Sequence, residues 1–369
     1  ASVARVMWVG EGEGEGEGAE AGGKPRAEGV VLADGRRVVA KREVVLSAGA
    51  VASPQLLQVS GVGDPSHLSE LGVDCVVESK GVGQNLQDHL EVYFQHECTD
   101  KAPSLKPYLS LIQKALIGIR WILFRDGLGA TNHFEAAAFI RTKAGVEYPD
   151  IQYHFLPVAV SYDGVTTAPT KTGHSFQLHL GHNRSMSRGE IKAVSTDMAI
   201  APKLRFNYMS RDEDWEDWRT ALRLTREIID QPCFDGVRGD EIAPGAAAQT
   251  DEELDQYLKE HLESAYHPCG TCKMGAEDDP MAVVGPDGAV YGTDGLRVVD
   301  ASIFPSITNG NLNAPTIMTA EKMADAILGL PPLPPSDVPA ANNAPRGWVD
   351  PNWRENQREY APMVPTYTR

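Results

Sequence analysis

Cysteine is scarce in this 369-residue chain. There are five (Cys75, Cys98, Cys233, Cys269 and Cys272), an odd number that excludes a disulfide framework and favours a reducing compartment. Basic residues are outnumbered, 34 Lys and Arg against 51 Asp and Glu, giving a formal charge of −17. So acidic a surface repels a phosphate backbone, and no nucleic-acid partner is expected. As a whole it also disfavours anionic lipid, but it suits a cationic substrate. Long apolar runs are missing too. The most apolar stretch, Ala115–Phe124, is half the length of a membrane span and carries Arg120. It reads as a buried amphipathic helix. Lys114 and Arg120 beside Trp121 and Phe124 leave a membrane-interface helix as the alternative. Nothing resembles a secretory leader, because Val6–Val9 is too short for its apolar region. The start at Ala1 fits a processing site or a cut in a longer chain. What the chain does hold is 42% hydrophobic residues, enough for a sizeable core in one large or two ordinary domains.

The pattern of elements changes along the chain. Val3–Val9 reads as a strand, 10–29 as a solvated loop carrying GEGEGEGEG, and Val30–Leu32 as the start of a second strand. Residues 16–21 match G-x-G-x-x-A, but GGKP follows where a helix should open, and glutamates would face the pyrophosphate. The match is rejected. Arg37–Ser47 supplies one or two more strands. Ser53–Val59 and Pro65–Leu71 read as helices, and Val73–Val77 as a strand. In the middle third, Ile151–Leu156, Ser175–Leu180 and Glu190–Val194 alternate apolar and polar residues, which suggests an antiparallel sheet covered on one face. Helices are expected at Asp212–Ile229, from a capping box at Thr250–Glu253 through Leu262, and from Pro315 through Ile327. Leu296–Ser302 reads as a strand. Beyond Gly329 a Pro-rich tail is extended rather than helical.

Two loops concentrate chemistry. In Tyr266–Gly275, Cys269 and Cys272 form C-x-x-C, yet a structural zinc needs four ligands and no partner motif exists, so no metal is expected. A tight glycine turn with a satisfied histidine is one remaining reading. The other makes His267 a general base held by the rigid Pro268. Ile307–Thr316 places three asparagines before a helix. Capping accounts for one; three around a glycine suggest a polar site that tolerates an anion.

Four blocks occur in one order: Leu46–Leu57 (LSAGAVASPQLL), Gly81–His89 (GVGQNLQDH), the His267 loop, and Val298–Ser302 with Gly310–Met318. Together they resemble the glucose–methanol–choline (GMC) family of flavoprotein oxidoreductases, most nearly its choline-oxidising members. The likeness continues through Gly127–Glu135, Tyr153–Pro157, Asn207–Ser210, Asp214–Trp215 and, in the tail, Pro334–Asp337 and Asp350–Trp353. It covers nearly the whole chain from about Arg42. The family's opening strand, G-x-G-x-x-G phosphate loop and acidic ribose ligand find no counterpart. The chain thus resembles the C-terminal part of a member, lacking the N-terminal FAD-binding fingerprint.

The resemblance implies a mixed α+β and α/β fold. A partial FAD-binding domain at 1–90 precedes a substrate domain at 91–265 with an antiparallel sheet and helices. A returning FAD-domain segment at 266–330 and the tail at 331–369 follow. It also implies FAD as cofactor and an alcohol substrate, choline, oxidised to betaine aldehyde with hydride passing to the flavin. His267 would be the base and Asn313 the amide that orients the alkoxide. Ala48 and Gly49 would lie under the nucleotide, Asp300 and Ala301 along its phosphate and ribityl chain, and Asn311 and Ala314 near its ring. For the quaternary ammonium, Glu135 is the expected carboxylate, and Phe134, Tyr153 and Phe155 the expected walls. A partner carrying the N-terminal FAD-binding half, an electron acceptor of unspecified kind and a peripheral membrane contact are the further expectations. The expected location is cytoplasmic or mitochondrial. Another alcohol oxidase or lyase of the family, or a non-catalytic binding module, is the alternative; intact His267 and Asn313 loops favour an enzyme.

Overall fold

A computed structural model describes residues 2–10, 23–99, 104–146, 148–162, 170–331 and 333–334. The Gly/Glu run, the rejected dinucleotide match and the tail beyond Pro334 lie outside them. Contacts divide the chain into two units: 1–91, 182–216 and 262–333 form the first, and 92–181 and 217–261 belong to the second. The span expected as one substrate domain is therefore interrupted by 182–216, which packs with the first unit.

The chain opens with strands β1 (Val3–Trp8), β2 (Ala27–Leu32) and β3 (Arg37–Val39), an antiparallel sheet in which Val6 pairs with Val30 and Val30 with Val38. β2 starts before Val30 because Trp8 already pairs with Ala27. β4 (Val44–Leu46) leads into α1 (Gly49–Val59), β5 (Val62–Gly63) and α2 (Pro65–Leu71). Asp64 caps α2 by accepting the Ser66 and His67 N–H groups, and Gly72 ends it at φ 74°. The strand expected at Val73–Val77 shrinks to β6 (Val77–Glu78). Its partner β5 has only two residues, and the Gly61 carbonyl takes both the Val76 and Val77 amides.

Strand β7 (Leu90–Cys98) follows, then α3 (Leu111–Phe124), β8 (Ala136–Ile140), β9 (Ile151–Leu156) and β10 (Ser175–His182). Next come β11 (Glu190–Lys192), β12 (Lys203–Arg205), α4 (Asp212–Ile229), β13 (Arg238–Ala243), α5 (Asp251–His261), β14 (Glu263–Ser264), β15 (Leu296–Val298) and α6 (Asn313–Leu328). The large sheet runs β13-β7-β10-β9-β8, with β14 added to β7. β11 is not part of it: Ile191 pairs with Leu204 of β12. The expected strand at Leu296–Ser302 stops at Val298, because the Asp300 carboxylate caps a tight turn at Ala301–Ile303.

The first unit closes over a core that includes Trp8, Leu57, Val62, Val284 and Ile303. Each fully buried aliphatic side chain there is worth about 1.5–3 kcal/mol. In the second, Trp218 of α4 is fully buried, as expected of a core tryptophan. The capping box is present: Glu253 accepts the Thr250 amide at 2.9 Å, and Thr250 Oγ1 accepts that of Glu253 at 3.3 Å. The expectation that Ala115–Phe124 is buried is corrected. No residue of α3 is buried, because its apolar residues run around too wide an arc for the two short turns it packs on, Lys106–Leu109 and Leu128–Ala130.

Candidate active site

All the groups of this site belong to the first unit. Two backbone clips hold the His267 loop. On one side the Ala265 amide donates to the His89 carbonyl at 2.8 Å, continuing the β14–β7 pairing. On the other, Gln87 and Cys269 exchange amide-to-carbonyl bonds of 3.0 and 2.9 Å. His267 lies between them, ahead of Pro268. Gly270 makes the return at φ 86°; a Cβ there would meet the Asn85 carbonyl oxygen at 2.7 Å. Tyr266 adopts φ 61°, a left-handed conformation costly for a non-glycine residue, and the residue is 82% exposed.

Asp88 anchors the loop from beneath. It is buried, and its carboxylate accepts the His267 amide at 2.9 Å, the Tyr208 hydroxyl at 2.7 Å and the Ser264 hydroxyl at 2.5 Å. Burial, then the Asp88 charge, pushes the Tyr208 phenol up, so it stays a donor.

His89 and His267 meet edge to face. Their Nδ1 atoms are 3.0 Å apart, with ring planes at 88°. His89 Nε2 lies 3.0 Å from the Thr308 carbonyl oxygen. Asn311 Nδ2 lies 3.4 Å from His267 Nε2. Burial, aided by the neighbouring His267, pushes His89 down to about 4. Burial also lowers His267, against the opposing pull of Asp88 and Glu91.

These facts fix the proton positions. A carbonyl only accepts, so His89 Nε2 carries a hydrogen. His89 is neutral at pH 7, which leaves its Nδ1 bare. It must accept from His267 Nδ1–H. Neutral His267 then presents a bare Nε2, toward which the Asn311 amide donates. The loop delivers an unprotonated imidazole nitrogen beside an amide donor, the pairing needed to take a proton and steady the oxyanion left behind.

The residues expected at a cofactor also gather. The Gly49 amide and the Ser53 hydroxyl donate to Asp300 at 2.9 and 2.5 Å, and the Gly270 amide donates to the Ala301 carbonyl at 3.1 Å. Ala48 flanks α1 without a side-chain cap. Asn311, expected near a flavin ring, is the asparagine brought to His267; Asn313, expected to orient the alkoxide, is instead the first residue of α6, with Ala314 next.

The expected substrate residues lie in the second unit. Glu135 and Phe155 line a cavity of about 410 Å³ with Tyr108, Phe176 and Phe234. Phe134 packs edge-on against His154 and His179. Tyr153 is no wall: it is buried, and its hydroxyl pairs with Thr225 at 3.0 Å. Burial pushes that phenol up to about 12. The C-x-x-C thiols are core groups of the first unit, Cys269 pushed up to about 12 by burial.

Sequence reasoning gave no role to Asp88, His89, Glu91, Tyr208 or Tyr266. The available signal was Gln87-Asp88-His89, three polar side chains running straight into an apolar strand.

Models of the GMC oxidoreductase family match residues 1–91 (its N-terminal model) and 185–320 (its C-terminal model), together more than half of the chain. The chain belongs to the GMC oxidoreductase family. The expectation that the family's N-terminal fingerprint is lacking is not borne out, since the N-terminal model matches from residue 1. Proteins named oxygen-dependent choline dehydrogenase from Brucella ovis and Rhizobium meliloti are each 55% identical over 336 residues, 90% of this chain. The chain spans 59% of their length. Among solved structures, formate oxidase superposes with a TM-score of 0.75 at 24% identity, over 82% of this chain and 57% of that one. Pyridoxine 4-oxidase from Mesorbium loti gives 0.68 at 28%, over 89% and 57%.

Proposed function

We propose that this chain carries the alcohol-activating groups of an FAD-dependent choline oxidoreductase that takes choline to betaine aldehyde. The observation that carries the reading is the bare His267 Nε2, held by His89 and faced by Asn311. The names of the similar Brucella and Rhizobium proteins supply the substrate and suggest oxygen as electron acceptor.

The residues present fit a flavin dinucleotide. α6 starts just after Asn311 with no side-chain cap, so its first amides are donors suited to an anionic ring. At the start of α1, Gly49 has φ 83°, and a Cβ there would meet nothing within 4 Å, so the first turn is open to a close-lying group. Ala48, Gly49, Asp300, Ala301, Asn313 and Ala314 are the residues that would hold it. FAD, when bound, supplies the acceptor for the hydride leaving the carbinol carbon.

The chain's own part is the proton. His267 Nε2 takes it from the choline hydroxyl and becomes an imidazolium whose Nδ1–H still donates to His89. Asp88 and Glu91, the two carboxylates acting on His267, stabilise that charge. Asn311 donates to the alkoxide oxygen without competing as a base. Glu91 is also the better carboxylate for the quaternary ammonium than Glu135, since its charge acts at the base itself. The exposed Tyr266 beside His267 offers the cation a π face.

The test uses the flavin-loaded protein that contains this chain, mixed anaerobically with choline while flavin absorbance is followed. Choline should bleach the flavin. His267→Ala should slow bleaching about 10²–10⁴-fold with little change in choline affinity. A flavin bleached equally fast by that variant removes the base assignment. A flavin untouched by choline but bleached by another alcohol removes the substrate.

A further inference from the structure

We propose that α3 docks this chain on an anionic lipid surface, lying in the plane of the headgroups. The helix is 14 residues, about 21 Å long at 1.5 Å per residue. At 100° per residue, Leu111, Ile122, Ala115, Ile119, Ile112, Leu123 and Leu116 fall in that angular order on an arc of about 140° with no polar residue in it. All seven are exposed, Leu111 by 85%, Ile112 by 74% and Leu123 by 66%. Single exposed apolar residues are ordinary on a protein surface; a continuous strip is not.

The chain itself turns this strip outward. The other side of α3 packs on the turn Leu128–Ala130, where Gly129 lies so close that a Cβ would meet Trp121 Cβ at 2.9 Å and Ile117 Cγ2 at 3.4 Å. Arg120 is tied to Asp126 by two bonds of 2.7 and 3.1 Å. Rotation of the helix to bury its arc would break these contacts.

Charge decides the occupant. Arg120 lies beside Leu116 on one rim of the arc, and Lys114 beside Leu111 on the other. Residues 104–126 hold Lys106, Lys114, Arg120 and Arg125 against one acid, Asp126, which is paired with Arg120, in a chain with 51 acids to 34 bases. An apolar strip with Lys114 on one rim, in a segment of net positive charge, complements an anionic bilayer, where each basic residue near the surface adds to binding. A second copy would set the same positive segment against itself. Among the described residues no helix is long and apolar enough to cross a membrane, so the contact is in-plane.

The test is flotation of the full 369-residue chain with vesicles of phosphatidylcholine alone or with about one third phosphatidylglycerol. The chain should float with the anionic vesicles only and be stripped by high salt. Ile119→Glu should abolish flotation, and Lys114→Glu should weaken it by about fivefold or more. Neither residue is buried, so both variants should keep the far-ultraviolet circular dichroism of the parent. Absence of flotation, or flotation indifferent to both substitutions, overturns the proposal. So does a dimer seen by sedimentation that Ile119→Glu dissociates while the parent ignores vesicles, because a second copy then covers the strip.

Discussion

His89 Nδ1 accepts a hydrogen bond from His267 Nδ1 across 3.0 Å, and this single contact decides which nitrogen of His267 is free. An isolated neutral imidazole divides between two tautomers. Here the Thr308 carbonyl settles the tautomer of His89, and His89 settles that of His267. The base is set before substrate arrives.

The first prediction concerns that contact. His89→Asn keeps an acceptor near Nδ1, whereas His89→Leu leaves the His267 Nδ1–H buried without one, at about 1–3 kcal/mol. The asparagine variant should retain most of kcat; the leucine variant should lose about 10–100-fold. Nitrogen NMR on labelled histidine should find His267 protonated at Nδ1 in the parent and redistributed in His89→Leu. Equal rates and an unchanged tautomer in the leucine variant would show that His89 only fills space.

The pH profile follows from burial. His267 must be neutral to act, and its pKa lies below the ordinary 6.5. Plotted against pH, kcat/KM for choline should be level at neutral pH and fall only as pH drops through that lowered value. A limb rising above pH 7 would mean that another group is the base.

Glu91 supplies a separate check. Its charge raises the His267 pKa, so Glu91→Gln should move the acid limb to lower pH. If Glu91 also receives the ammonium, KM for choline should rise about tenfold or more while an uncharged alcohol of similar size is little affected. A shifted limb with unchanged KM separates the two roles.

Much of this was legible in sequence, and the failures share a cause. α4 and the α5 capping box follow from local patterns and stand as expected. The His267 loop was found because histidine, proline and glycine crowd into ten residues. The asparagines were not told apart, since Asn311 and Asn313 share one local composition and only the start of α6 at Asn313 places one beside His267. Asp88 and His89 received no role for the same reason. Their partners Tyr208, Ser264, His267 and Thr308 lie 120 to 219 residues away, beyond any window of periodicity. Tyr153 looked like a cation wall because an aromatic on an alternating strand carries no mark of which sheet face is covered; here it packs inward on Thr225.

Acid should weaken the fold through His89. Its folded pKa of about 4 lies below the unfolded 6.5, so the unfolded chain binds the proton first as pH falls. The contribution is complete above pH 6.5 and is lost progressively as pH falls through about 4, amounting to about 3 kcal/mol. Urea melts at pH 7 and pH 4.5 should show a larger loss for the parent than for His89→Asn, which has nothing to titrate. Equal losses would place the acid sensitivity elsewhere.

Asp88 and Tyr208 separate the anchor from its attachments. Tyr208→Phe removes one donor and leaves the carboxylate with the His267 amide and Ser264, at about 0.5–1.5 kcal/mol. Asp88→Ala leaves three donors without their acceptor in a buried space, each costing about 1–3 kcal/mol. It also releases the amide that sets the His267 backbone. Calorimetry should show a small fall in Tm for Tyr208→Phe and a much larger one for Asp88→Ala. Where Asp88→Ala still folds, choline turnover should fall further than flavin affinity, because the loop that slackens holds the base. A Tyr208→Phe variant as damaged as Asp88→Ala would mean that the phenol, and not the carboxylate, carries the loop.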